Sequence, residues 1–180
     1  MTTGYEMRWL ANDELEGWYA SLRAQLDDNG KDGRYFTTLT PAQAHIRFAP
    51  EKLEEARAAH RKPVGEPGWL VVLGLWYEGR VVGHVDLKGG AISAERHRCT
   101  LGIGIEREHQ GKGFGQALME GAIAWAREAG LAWVDLGVFE GNDRAIALYR
   151  KLGFVELGRI PDRYRVDGHS LTDVLMAMRL

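Results

Sequence analysis

Hydrophobic positions along this chain change period several times, and each change marks an element. Tyr5 to Leu10 reads as a short strand. Leu15, Trp18, Tyr19, Leu22 and Leu26 then recur at helical spacing behind Asn12, a residue suited to cap a helix start. DDNGKDGR (27–34) is turn-rich and ends that helix. Thr40-Pro41 and Ala49-Pro50 each place proline at a first helical position. The second of these opens PEKLEEARAAHRK, with acids early and bases late as a helix dipole prefers. After KPVGEPG (62–68) the period shortens to two. WLVVLGLWY (69–77) and VVGHVDL (81–87) flank Glu78-Gly79-Arg80 as a hairpin, followed by strands at 99–105 and 133–139. A helix over 115–129, with Leu118, Ala122, Trp125 and Ala129 on one stripe, separates those two strands, and a second helix spans 142–152. Strands at 154–159 and 171–178, joined through Asp167-Gly168, close the chain. The pattern predicts a mixed α/β (α+β) fold built as one domain over 1–180.

Composition narrows the picture. A chain of 180 residues that is 45% hydrophobic can bury a full core. A net charge of -2 gives no electrostatic reason to expect nucleic acid or an anionic membrane as partner. Cys99 is the single cysteine, so no intrachain disulfide forms, and the N-terminus has no apolar signal core. A cytoplasmic protein is the expectation. His45, His60, His84, His97, His109 and His169 are scattered without metal-ligand spacing, so no metal is expected.

QGKGFGQALMEG (110–121) sets three glycines directly before a helix, where they cost propensity. A flexible loop is the plain reading. The dinucleotide pattern G-x-G-x-x-G fails at Leu118, and the P-loop pattern fails because Glu106 precedes Gly111 by five and Gly113 follows Lys112. The remaining reading is an anion site: free N–H groups and a positive dipole end bind phosphate, glycines permit the turn and the approach, and Lys112 adds charge. In the preceding LGIGI, Leu101, Ile103 and Ile105 share one face and Gly102 and Gly104 the other, as for a strand approached closely by another backbone.

Gln110-x-x-Gly113-x-Gly115 resembles the Q/R-x-x-G-x-G/A pyrophosphate signature of the GNAT superfamily of acyl-CoA-dependent N-acetyltransferases. NDRAIALYRKLGF (142–154) resembles that family's second signature, N-x-x-A-x-x-L-Y-x-x-x-G-F, at every defining position. The resemblance covers about residues 95–178; the first 65 residues carry no match. It implies a twisted, mostly antiparallel sheet of about seven strands flanked by helices and splayed between the strands at 99–105 and 133–139. Acetyl-CoA as co-substrate would lie in that gap, its pantetheine on the backbone of Ile103, Gly104 and Ile105. Its pyrophosphate would rest on Gln110, Gly111, Lys112, Gly113, Phe114 and Gly115, with Asn142 against the cofactor and Ala145 small enough to admit it. Residues 1–68 would form the acceptor side, with Tyr35 and Phe36 in its loop, and 69–180 the acetyl-CoA side.

Acetyl transfer to an amine needs a neutral amine, a stabilised thioester oxygen and a protonated or hydrogen-bonded leaving thiolate. Tyr149 matches the family's tyrosine facing the sulfur and is the expected catalytic residue; a core aromatic is its plain reading. Asn142 also suits a helix cap. Glu106, His84, Asp86, His97 and Glu140 are candidate bases, and none is singled out. The sequence therefore points to an N-acetyltransferase acting on a primary amine of a small molecule or peptide. The alternative is a non-catalytic acyl-CoA-binding sensor on the same fold. A homodimer is expected from Val174, Met176 and Met178 on one face of the closing strand.

Overall fold

The computed structural model describes residues 4–33 and 35–180. β1 (Tyr5–Trp9), β2 (Leu70–Tyr77), β3 (Arg80–Gly89), β4 (Arg98–Ile105), β5 (Trp133–Phe139), β6 (Val155–Val166) and β7 (His169–Arg179) form one sheet in the order β1-β2-β3-β4-β5-β7-β6. Every neighbouring pair is antiparallel except β4 and β5. Segment 4–10 thus joins the same sheet as the later strands.

Two helical layers cover the sheet. On one face lie α1 (Leu15–Leu26), the short α2 (Ala44–Arg47) and α3 (Pro50–His60), where Leu15, Trp18 and Tyr19 pack on Leu70, Val72 and Val81. On the other lie α4 (Phe114–Glu128) and α5 (Asp143–Leu152). There Leu118, Met119 and Ala122 of α4 join Val85, Leu101, Val134 and Met176 in a larger core. Burying a side chain of leucine or valine size contributes about 1.5–3 kcal/mol, so these two apolar stripes hold the layers together.

The expected helices and strands are present, with local differences. Asn12 does not cap α1: its side chain donates to the Arg57 carbonyl at 2.8 Å and ties α3 down, while the Ala11 N–H bonds the Glu14 carboxylate at 2.8 Å. Pro41 and Pro50 do stand in the first turn of their helices. Glu78 and Gly79 both take left-handed φ, 48° and 77°, so the hairpin turn has two residues. β6 runs seven residues past the expected end at 159, through Pro161, because it is an edge strand with an irregular register between Ile160 and Tyr164. β7 is not an edge: β5 and β6 flank it, and Val174, Met176 and Met178 are core residues of their own chain. The feature expected to support a homodimer is therefore internal packing. Among the described residues no helix is long and apolar enough to cross a membrane.

The sheet opens in its middle. β4 and β5 pair only at 98–100 with 133–135. Beyond that the two strands separate, leaving Gly102 to Ile105 without a partner strand on the β5 side.

Candidate active site at the splayed strands

The Glu106 N–H bonds the Val82 carbonyl at 2.9 Å and so sets the parity of the β3–β4 ladder. Even-numbered residues of β4 turn their polar groups to β3; Leu101, Ile103 and Ile105 turn theirs to the gap. Gly104 therefore pairs with His84 rather than facing the gap. The Ile105 carbonyl takes the Gln110 side-chain N–H at 2.8 Å, which straps the following loop. Of the three residues expected to meet pantetheine, Ile103 offers both its N–H and its C=O, Ile105 only its N–H.

The strand glycines serve packing. A Cβ on Gly104 would lie 1.9 Å from Gln25 Oε1, and one on Gly102 would lie 2.8 Å from Asp86 Oδ1. Side chains from α1 and β3 thus occupy the space that the sequence pattern assigned to a close backbone approach.

The loop after β4 fits an anion. Gly111 and Gly113 take left-handed φ, 78° and 86°, where a side chain is strained. Gly113 is the N-cap of α4 and offers no side chain, so the first N–H groups of that helix have no partner among the described residues, with open space around Gly111 and Gly113. This supports a bound pyrophosphate. Gly115 differs: a Cβ there would meet Leu148 and Ile105 at 3.7 and 3.9 Å, ordinary contacts. Lys112 Nζ donates to the Tyr5 hydroxyl at 2.8 Å, and that hydroxyl meets His109 Nδ1 at 2.8 Å. Phe114 lies on the Tyr5 ring, centroids 4.4 Å apart. Burial holds the His109 imidazole below its ordinary value.

α5 comes to the same place. Asn142 caps it, accepting from the Ala145 N–H at 3.4 Å, and Lys151 donates to Gln116 of α4 at 2.8 Å. Partly buried Ile103, Ile105, Phe114, Ala145 and Leu148 pack around the core cluster that contains Tyr149. Tyr149 is buried, lies 6.0 Å from the Phe154 ring, and its hydroxyl bonds no other described residue. Burial pushes its phenol up to about 12. The structure thus brings the two signature segments together beside the splay.

The candidate bases separate clearly. Glu106 is held by Arg80 at 2.7 Å beside the loop. Glu140 is exposed and paired with Arg159, and His97 is exposed. His84 and Asp86 are buried on the α1 face. Burial would raise the Asp86 carboxyl, but Lys88 at 3.1 Å and His84 outweigh it and hold the group below its ordinary range. Among the described residues no cluster of three or more potential metal ligands occurs.

Three residues with structural roles around the site were not picked out from the sequence. Asp173 is buried and bonded to Arg163 at 2.9 Å, with Oδ1 2.8 Å from where a Gly137 Cβ would stand. It mirrors Asp86 over Gly102 across the opening; an acid inside the apolar run LTDVLMAM was its one signal. Tyr5 meets its loop partners about a hundred positions away in sequence, which leaves no local signal. Asn29 is buried and stitches the loop ahead of α2, donating to the Thr37 and Leu39 carbonyls and accepting from the Phe36 and Thr37 N–H groups. That loop leans Tyr35 on His169, centroids 5.4 Å apart, so it reaches the β6–β7 hairpin.

A mostly antiparallel sheet split at its centre, with a glycine-capped helix start at the split, defines the GNAT class of fold. Residues 33–154 match the model of the Acetyltransferase (GNAT) family, more than half of the chain, and the chain belongs to that family. A probable spermine N(1)-acetyltransferase of Bacillus subtilis subsp. natto is 32% identical over 146 residues, covering 74% of this chain and 86% of that protein. A mycothiol acetyltransferase of Thermobifida fusca is 39% identical over 121 residues, covering 61% of this chain. The chain spans only 38% of that relative's length and 16% of the Nocardiopsis dassonvillei mycothiol acetyltransferase. In fold, it resembles a GNAT acetyltransferase from Streptococcus pneumoniae over 98% of this chain and 99% of that one, TM-score 0.79 at 24% identity. It also resembles a putative acetyltransferase from Salmonella typhimurium solved with its cofactor acetyl-CoA, over 99% of this chain and 95% of that one, TM-score 0.77 at 18% identity.

Proposed function

We propose that this protein transfers the acetyl group of acetyl-CoA to a primary amine. The observation that carries the reading is the uncapped start of α4 at left-handed Gly113, set at the mouth of the β4–β5 gap. Residues 69–180 would hold acetyl-CoA, which supplies the activated acyl group, and residues 1–68 would cover the acceptor. The first-turn N–H groups of α4 would take the pyrophosphate, and the free backbone groups of Ile103 the pantetheine amides. Lys112 would reach the phosphates only by leaving Tyr5. Tyr149 would donate a hydrogen bond to the departing sulfur. A phenol at about 12 stands about 3.5 units above an ordinary thiol, or about 4.8 kcal/mol against full proton transfer, so it acts as a donor and keeps its proton.

The acids on the acceptor face each have a base of their own: Asp86 with Lys88, Asp135 with Arg98, Asp173 with Arg163. A polyamine would have to displace these tethered cations, so the face favours an amine of low net charge. The homodimer keeps one support, exposed Val155 and Leu157 on the β6 edge; a single-chain mass by light scattering at micromolar concentration removes it.

A thermal shift with acetyl-CoA but none with NADH or ATP is expected, about 2.7 kcal/mol at 100 times Kd. Release of free thiol with single-ammonium amines in preference to spermine completes the test. Binding without turnover on any amine would instead support the sensor alternative.

A further inference from the structure

His84 carries a nitrogen that the fold buries and leaves unpaired. The residue is 3% exposed, and its Nδ1 has no hydrogen-bond partner among the described residues. A buried polar atom left unpaired has given up its hydration for nothing in return, and such atoms are few in native structures. Nε2 lies 3.5 Å from Asp86 Oδ1, and Asp86 Oδ2 takes Lys88 Nζ at 3.1 Å. A carboxylate on that side favours the proton on Nε2 and leaves the lone pair on Nδ1. The neighbouring strands put Gly74 and Gly104 opposite His84, and α1 presents Trp18, Ser21 and Gln25 to this face. Among the described residues, the titratable and charged groups facing the imidazole are thus Asp86 and, one position further along the strand face, Lys88.

This imidazole stands one strand from the gap, about 4.8 Å. β4 has no side chains between them on this face, only Gly102 and Gly104. The Gln25 amide and His84 Cε1 both lie over Gly104. We propose that His84, held by Asp86, accepts the proton of the acceptor ammonium past these two glycines, through one bridging water beside the Gln25 amide. The N–H bond of the ammonium breaks and an Nδ1–H bond forms, giving a neutral amine and an imidazolium paired with Asp86. The amine lone pair then forms the C–N bond as the C–S bond breaks and its electron pair leaves on sulfur beside Tyr149. A second nitrogen proton passes to that thiolate, giving the neutral amide and the free thiol, and the imidazolium returns its proton to solvent.

The inference rests on the acetyltransferase reading, and one set of assays separates the two. Wild type is measured first, with acetyl-CoA and spermidine, a free L-amino acid and an alanine-terminated peptide, following kcat/KM from pH 6 to 9.5. If wild type binds acetyl-CoA and turns over none of them, the acetyltransferase reading itself falls, and the role of His84 with it. If it turns over, His84→Gln should lower kcat/KM by about 10²- to 10⁴-fold at pH 7 with acetyl-CoA affinity unchanged. The deficit should shrink about tenfold per pH unit, because solution then supplies the neutral amine. Asp86→Asn keeps the imidazole but removes its carboxylate partner, and should give a smaller deficit that shrinks with rising pH in the same way. A merely structural His84 would give a deficit independent of pH. That result, a pH-independent deficit in Asp86→Asn, or wild-type kcat/KM in His84→Gln overturns the proposal.

Discussion

Tyr149 and the loop glycines can be tested one atom at a time. Tyr149→Phe keeps the ring in its core and removes a donor needed only as charge builds on sulfur. Activity should fall about 10²-fold, the lower end for a positioned donor, in kcat and kcat/KM together and with acetyl-CoA affinity unchanged. Wild-type kcat with chemistry rate-limiting would make the residue a packing aromatic. Gly113 and Gly115 should part company. At φ 86° a valine is strained by about 1–3 kcal/mol, relieved only if the loop leaves its geometry. Gly113→Val should therefore weaken acetyl-CoA about 10- to 100-fold by calorimetry in a folded protein. Gly115→Ala meets only ordinary contacts and should bind as wild type. Equal losses in both would show that size at the loop, rather than backbone conformation, sets affinity.

Among elements, the loop between α1 and α2 depends most on a single side chain. Asn29 makes four bonds to it, so Asn29→Ala should cost about 1–3 kcal/mol. The amides of Phe36 and Thr37 should exchange faster, and KM for the acceptor should rise while that for acetyl-CoA holds; unchanged exchange would mean other contacts secure the loop. The regular elements around this loop were legible in the sequence because period, proline and glycine are local signals. The motif residues 110–115 and 142–149 were legible for the same reason. What stayed hidden joins distant segments: Asn29 inside DDNGKDGR looks like any turn residue, and Tyr5 gives no hint of Lys112. The glycines of β4 were seen, but their reason was not, because Gln25 and Asp86 reach them from other elements.

For the molecule as a whole, two buried acids link stability to alkaline pH. Burial raises Cys99 from 9.0 to about 12 and Tyr149 from 10.0 to about 12. Between the unfolded and folded values the native state holds the extra proton, so the stability is present below pH 9 and is lost as pH climbs toward 12. The slope reaches about 1.4 kcal/mol per pH unit for each group. Urea denaturation at pH 8, 9.5 and 10.5 should show the fall, and Cys99→Ala should delay its onset by about one pH unit, the interval between the two ordinary values. A flat profile would show that the native state accommodates both anions. In the same way the folded protein's thiol should be silent to an aromatic disulfide reagent, because Cys99 is 2% exposed.

The short β4–β5 pairing has a kinetic consequence. Joined over three residue pairs at one end, the two parts of the sheet meet there as at a clasp, and the inner edge of β4 is open to solvent exchange in the middle of the molecule. The amides of Ile103 and Ile105 should trade hydrogen for deuterium far faster than those of Gly102 and Gly104 on the same strand. This alternating rhythm would fade for Ile103 once a ligand supplies the missing partner, so occupancy of the gap could be timed from one backbone proton.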